Sequence, residues 1–184
     1  MNQQEIINID TFKVISKAMT HSTDLQEMAD YMCHLLVEAM NLIGCAIYLL
    51  DIEKTELQIL ANSGLSREYL LKGPVDPKKS LGSALKGEAI IISDIDQDKR
   101  IQYPEHAKQE GIEGIADIPI KSPEKLLGSF RLYSKEKLDI SEQDLDSLYA
   151  LGELMGLAIS YSSFRDAVQN ISELLSNLPI ERKF

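Results

Sequence analysis

The chain has 184 residues, of which 44% are hydrophobic and 26% are charged, an ordinary globular composition. A chain of this length is expected to form one domain with a sizeable core. Its 29 acidic residues outnumber 19 basic ones, and this negative balance opposes binding to nucleic-acid phosphates. The first residues, MNQQEIINID, lack the features of a signal peptide, and no segment approaches the roughly 20 apolar residues of a membrane span. We expect a soluble, cytoplasmic protein with no nucleic-acid or membrane partner.

Cysteines and histidines give no sign of a metal or a disulfide framework. Cys33 and Cys45 are far from a CxxC spacing and suit a reducing compartment, so we interpret both as small buried residues. His21, His34 and His106 share no metal-ligand spacing with them. We expect no metal or other cofactor, apart from an unknown small-molecule ligand discussed below.

An acidic run at alternate positions 94, 96 and 98 resembles the first half of a calcium loop. Glu105 occupies the position of the bidentate glutamate, but Lys99 stands where such a loop needs its glycine. We therefore interpret the run as a solvated acidic turn.

Two helices are predicted at the start of the chain. Apolar residues at spacings of three and four predict a short helix over residues 6–19 and a second one that begins at Thr23. Thr23 and Gln26 have the spacing of a capping box. Gly44 stands where a left-handed residue would end the second helix.

Strands follow, because the periodicity changes to two. Residues 45–51 and 57–61 predict an antiparallel hairpin, and residues 89–93 a short apolar strand. Residues 115–121 and 126–133 predict two further strands joined by a turn.

Two connections in this part of the chain are informative. Ser80 can cap a short helix over residues 80–87. Residues 94 to 114 form a long connection with a helical turn through His106, and connections of this length are typical of lids and binding loops.

The last helix is predicted to run from a Ser141 cap to about Leu178, where Pro179 ends it. At 1.5 Å a residue it would measure about 55 Å, longer than a body about 40 Å across. It carries two apolar faces. One face, expected to pack on the body, holds Leu145, Leu148, Gly152, Met155 and Ile159. The other keeps a coiled-coil spacing for roughly three and a half heptads and is the predicted dimer interface: Leu154, Leu157, Tyr161, Phe164, Val168, Ile171, Leu175 and Leu178.

Glycines on the body face carry a further expectation. Gly152 and Gly156 each cost about 1 kcal/mol in a helix interior. A close approach of the helix to the sheet is the expected compensation.

Four segments, in this order along the chain, together resemble the GAF domain family. They are residues 61–65 (ANSGL), 80–94 (SLGSALKGEAIIISD), 127–132 (LGSFRL) and 138–159, and the resemblance covers roughly residues 10 to 165. It implies an α+β fold with a central antiparallel β-sheet of five to six strands. The N- and C-terminal helices would pack on one face, and short helices and loops would cover a pocket on the other.

The resemblance also implies a domain organisation and a function. Residues 1–22 would form an N-terminal helix available for dimer contact, residues 23–163 the GAF-like domain, and residues 164–184 a helical extension with the coiled-coil seam. Such modules are regulatory and non-catalytic. The chain would sense a small molecule, act as a homodimer in signal transduction and address a downstream signalling protein.

Specialised members of the family use residues that this chain lacks. Cysteines do not occur where bilin-binding members and free methionine sulfoxide reductases need them, and the cyclic-nucleotide signature has no match near residues 135–143. Thirteen pocket candidates remain, most of which could equally be core residues. They are Tyr48, Leu50, Leu60, Tyr69, Leu81, Leu85, Ile92, Asp94, Ile101, Tyr103, His106, Ala116 and Ile118.

Two alternatives stay open. The chain could be a dimerisation or scaffold module whose pocket is filled by its own side chains, or an unusual enzyme, although no catalytic motif is recognisable. The ligand, the downstream partner, the direction of helix pairing and the completeness of the chain are open as well.

Overall fold

A computed structural model describes residues 6–51, 56–76, 87–123 and 125–176. Within them the chain is α+β, with five helices and five strands. In chain order they are α1 (Ile9–Thr20), α2 (Leu25–Met40), β1 (Gly44–Asp51), β2 (Glu56–Ser63), α3 (Arg67–Leu70), β3 (Ile90–Ile92), α4 (Pro104–Gln109), β4 (Gly114–Lys121), β5 (Leu126–Ser134) and α5 (Glu142–Ser176).

The strands form one antiparallel sheet in the order β2-β1-β5-β4-β3. The predicted hairpin and all three later strands are confirmed within one or two residues at each end. The short helix predicted over residues 80–87 lies almost wholly outside the described residues. Because side chains alternate along each strand, the sheet has two distinct faces.

One face carries the main hydrophobic core beneath α1, α2 and α5. Ile15, Met32, Phe130 and Met155 are buried there. The two cysteines also belong to this core, and burial raises the pKa of the Cys45 thiol. The expectation that the terminal helices share one face is confirmed.

The two ends of α2 differ from the prediction. Its N-cap is Asp24, whose carboxylate accepts from the N–H of Glu27 at 3.0 Å, so the Thr23 capping box was wrong. At the other end Asn41 adopts the left-handed conformation, with φ of 50°. An asparagine tolerates this conformation, so the helix stops before Gly44, which begins β1.

The close approach of α5 to the sheet is confirmed. Ser141 Oγ accepts from the N–H of Asp144 at 3.1 Å and caps the helix. A Cβ at Gly152 would lie 2.6 Å from the Pro119 carbonyl oxygen, and one at Gly156 would overlap that of Lys121. Only glycine permits this spacing.

The rest of α5 extends beyond the body, as predicted. Residues 163–176 are all exposed. Arg165 Nη1 donates to the Thr23 carbonyl oxygen at 2.7 Å where the helix leaves the body. None of the described helices has the length and apolar character needed to cross a membrane.

Candidate ligand pocket

A cavity of about 50 Å³ lies on the sheet face opposite the main helices. One wall is formed by β3, β4 and β5, whose alternate residues point to this face. The other wall is formed by the end of α3 and by the loops that follow α3 and precede α4. The described lining residues are Tyr69, Lys72, Val75, Ile90, Ile92, Arg100, Ile101, Gln102, Tyr103, Ile115, Asp117 and Arg131.

The polar centre of this wall is a buried ion pair. Asp117 and Arg131 lie directly opposite each other in the β4–β5 register and are only 3% and 8% exposed. Nε and Nη2 of Arg131 both donate to Asp117 Oδ2 at 2.9 Å. Burial alone would lower the pKa of the guanidinium, but the carboxylate and nearby tyrosines raise it. Pairing of β4 with β5 therefore holds the two charges together in a buried position.

The second carboxylate oxygen of Asp117 is different. Asp117 Oδ1 is buried and has no hydrogen-bond partner, and the same is true of Ser129 Oγ. Burial raises the pKa of the Asp117 carboxyl, against the opposing effects of Arg131 and of the nearby Ser129 hydroxyl. An unsatisfied buried acceptor costs about 1–3 kcal/mol. A ligand that donates a hydrogen bond to it would recover part of this cost.

Three tyrosines lie around the ion pair. The Tyr48 and Tyr133 hydroxyls are 3.0 Å apart, and the guanidinium carbon of Arg131 lies 5.0 Å from the centre of the Tyr48 ring. The Tyr69 ring meets Tyr133 edge-on at 5.6 Å. Burial raises the pKa of all three phenols, so they remain neutral hydrogen-bonding groups.

A lysine stands beside the cavity. Lys72 Nζ lies 3.7 Å from the centre of the Tyr69 ring and donates to the Tyr69 carbonyl oxygen at 3.0 Å. Burial and the positive charge of Arg131 lower the pKa of Lys72 to about 8. The ammonium is still mostly protonated at neutral pH.

We expect a side-chain NMR titration to give a midpoint of about 8 for Lys72. Above this value the unfolded chain holds the proton more tightly, so the contribution of Lys72 to stability rises with pH from about 8 towards 10. Exposed Lys137 is the control, because its ion pair with Asp94 raises its pKa. A Lys72 midpoint near the ordinary value of 10.5 would show that its ammonium is solvated.

Hydrogen bonds join the two loops of the rim. The Tyr103 hydroxyl donates to the Pro74 carbonyl oxygen at 2.8 Å, and Gln102 Nε2 donates to the same oxygen at 3.0 Å. Gln102 Oε1 accepts from the N–H of Asp76 at 3.0 Å. These hydrogen bonds therefore fix the loop after α3 against the loop before α4.

The structure brings four of the thirteen pocket candidates to the cavity: Tyr69, Ile92, Ile101 and Tyr103. Tyr48 and Leu50 pack in the hydrophobic cluster on the same face. Asp94 instead pairs with Lys137 at 2.9 Å, and the His106 ring packs on Tyr103 outside the cavity lining.

Three further candidates lie away from the cavity. Leu60, Ala116 and Ile118 pack with the main core, because strand alternation points them to the opposite face. The prediction that these three side chains face the pocket was wrong. Leu81 and Leu85 lie outside the described residues.

Sequence reasoning missed several lining residues: Lys72, Val75, Ile90, Arg100, Gln102, Ile115, Asp117 and Arg131. For two of them a signal exists. Asp117 and Arg131 each interrupt an apolar strand, and a charge at such a position needs a buried partner.

The acidic run forms three separate ion pairs. Asp94, Asp96 and Asp98 face Lys137, Lys108 and Arg100, respectively. Among the described residues, no three histidines, cysteines or acidic residues come together in a way that could hold a metal ion.

Comparison with protein families decides the identity of the fold. A model of the GAF domain matches residues 22–160, most of the chain. The chain belongs to the GAF domain family. The GAF resemblance of the four sequence segments is thereby confirmed. A search of curated proteins finds no match.

Solved GAF structures have the same fold at low sequence identity. The GAF domain of a phosphoenolpyruvate-protein phosphotransferase from Coxiella burnetii has a TM-score of 0.77 at 18% identity, covering 91% of this chain and 99% of that one. The corresponding Acinetobacter domain has a TM-score of 0.71 at 20% identity, covering 84% and 93%. A free methionine-R-sulfoxide reductase from Neisseria meningitidis has 0.74 at 16%, covering 90% and 96%. The Neisseria protein is an enzyme, so proteins with this fold include catalysts.

Proposed function

We propose that this chain is a regulatory GAF module that binds a small molecule in the cavity and acts through a helical homodimer. GAF domains are sensor modules of signalling proteins. The observation that carries the proposal is the unpartnered Oδ1 of Asp117 in the cavity wall. Both cysteines lie in the core on the other sheet face, so thiol chemistry in the cavity has no support.

Ligand binding is tested by thermal shift and native mass spectrometry with small organic acids, amino acids and nucleotides. We expect at least one compound class to raise the melting temperature. Ile101→Trp, which fills the cavity, should abolish the shift. Ile59→Trp, on an exposed part of β2, should keep it.

A scaffold function without a ligand is favoured by one observation. The cavity of about 50 Å³ is small, roughly a third of a cavity that holds benzene. A scaffold predicts no thermal shift with any compound and no difference between the two tryptophan variants.

Dimerisation is proposed from the outer face of α5. Its seam residues from Leu157 to Leu175 are 49–68% exposed and keep the heptad spacing. Where α5 meets α1 and α2, the same face borders an apolar groove of about 230 Å³ that includes Met19, Met28 and Leu154. A second copy presents an identical seam, so pairing of two α5 helices would bury both.

We expect Phe164→Asp combined with Ile171→Asp to convert a dimer into a monomer. Each aspartate would place a charge in the apolar seam. Sedimentation velocity at micromolar concentration measures the result. Ser163→Asp combined with Asn170→Asp adds the same charge on the outer side of the helix and should remain dimeric. A wild-type chain that sediments as a monomer contradicts the proposal.

A further inference from the structure

Few polar groups in the cavity wall remain able to bind a ligand. Gln102 and Tyr103 hold the rim together, and Arg100 donates to the carboxylate of Asp98. Two other polar groups of the described lining are the unpartnered Oδ1 of Asp117 and the ammonium of Lys72. Lys72 has three N–H donors, and one of them donates to the Tyr69 carbonyl oxygen.

The unpartnered Oδ1 of Asp117 favours a ligand with a neutral hydrogen-bond donor. Asp117 Oδ1 needs an N–H or O–H group, but the negative charge of its carboxylate is already matched by Arg131. A ligand ammonium at this point would face the guanidinium and bring a further charge into a buried site, which is costly. A hydroxyl group gives the hydrogen bond without that cost.

The ammonium of Lys72 favours a ligand with an anionic group. Asp117 offsets Arg131 and Asp98 offsets Arg100, whereas Lys72 forms no ion pair among the described residues. The negative charge of Glu110 acts on Lys72 more weakly than burial and Arg131 do. A monoanionic group would compensate its charge in a partly desolvated site. The volume of about 50 Å³ restricts the buried part of the ligand to a few heavy atoms.

We propose that the cavity binds a short hydroxy carboxylate of two or three carbons. Its hydroxyl group donates to Asp117 Oδ1, and its carboxylate accepts from Lys72 Nζ. Apolar lining from Ile92, Ile101 and Ile115 contacts the carbon atoms. This inference rests on the proposed function, because it names the ligand class of the same cavity.

Isothermal titration calorimetry of the full chain with four matched compounds tests the proposal. Glycolate carries both groups, methoxyacetate keeps the oxygen but has a methyl group in place of the donated hydrogen, acetate lacks the hydroxyl, and glycine replaces it with an ammonium. We expect glycolate to bind at least about tenfold more tightly than each of the others, the effect of leaving one buried acceptor unsatisfied. Changing the ligand tests Asp117 without removing half of a buried ion pair.

Lys72 is tested by Lys72→Met, because its partial exposure should allow the variant to fold. Glycolate affinity should fall at least about tenfold. Lys108→Met, which removes an exposed lysine outside the cavity lining, should leave it unchanged. Equal losses in the two variants would contradict a contact with Lys72.

The outcomes separate this proposal from the previous one. Equal binding of glycolate and methoxyacetate overturns it, because Asp117 Oδ1 would then be satisfied by water or by Ser129. If none of the four compounds binds but another compound gives a shift that Ile101→Trp abolishes, the hydroxy-acid class is wrong and the sensor function stands. If no compound binds at all, both proposals fail.

Discussion

Arg131→Met should lower the free energy of unfolding by about 3–5 kcal/mol. Methionine fills much of the same space but leaves the Asp117 carboxylate buried without its cation. Urea denaturation at neutral pH measures the loss. A loss below about 1 kcal/mol would show that the pair is solvated and contributes little.

The second partner supplies the control. Adding Asp117→Leu to Arg131→Met removes the unpaired charge and should recover most of the stability, because apolar replacements of a buried pair are often neutral. The single variant should also be less impaired at acid pH. With its cation gone, the folded pKa of Asp117 lies still further above the unfolded value, so stability is retained below the unfolded pKa and lost as the pH rises through the folded pKa.

Gly156→Ala should cost about 2–3 kcal/mol, although alanine is the better helix former. The new Cβ would overlap the carbonyl oxygen of Lys121, a backbone atom that cannot rotate away. The helix α5 would have to move off the end of β4. Urea unfolding measures the loss, and loss of near-ultraviolet circular dichroism would report looser packing of the core.

Two substitutions on the same helix calibrate this result. Gly152→Ala should destabilise the protein less than Gly156→Ala. A Cβ at position 152 would lie 2.6 Å from the Pro119 carbonyl oxygen, whereas a Cβ at position 156 would overlap the Lys121 carbonyl oxygen. Asn170→Ala, on the exposed extension, should change stability by less than about 0.5 kcal/mol. Equal effects at all three positions would show that α5 does not lie close to β4.

Element order could be predicted from the sequence because periodicity records burial. The hairpin strands alternate, the later strands are short apolar runs between turns, and α5 carries apolar residues at helical spacing. The ends of α2 were harder to predict. Ser22, Thr23 and Asp24 are neighbouring residues that can all cap a helix, and only the path of the chain makes Asp24 the cap. The sequence predicts Gly44 as a helix stop because glycine suits both a left-handed cap and a strand that passes close to Leu65.

The cavity could be predicted only in part. Tyr69, Ile92, Ile101 and Tyr103 were found because the GAF resemblance places a pocket on their side of the sheet. Ala116 and Ile118 were assigned to the wrong face of β4. A strand such as β4, buried on both faces, gives no polar alternation to show which parity points to the helices.

The amino-acid sequence by itself determined the strand and helix order and the two apolar faces of the final helix, because each depends on local spacing of apolar residues. The family followed from the resemblance of four sequence segments. Only the tertiary structure decided that Asp117 meets Arg131, that one carboxylate oxygen remains unpartnered and that Lys72 lies beside the same cavity. These groups come from separate strands and loops. Their distances depend on sheet register and loop packing, which local periodicity does not encode.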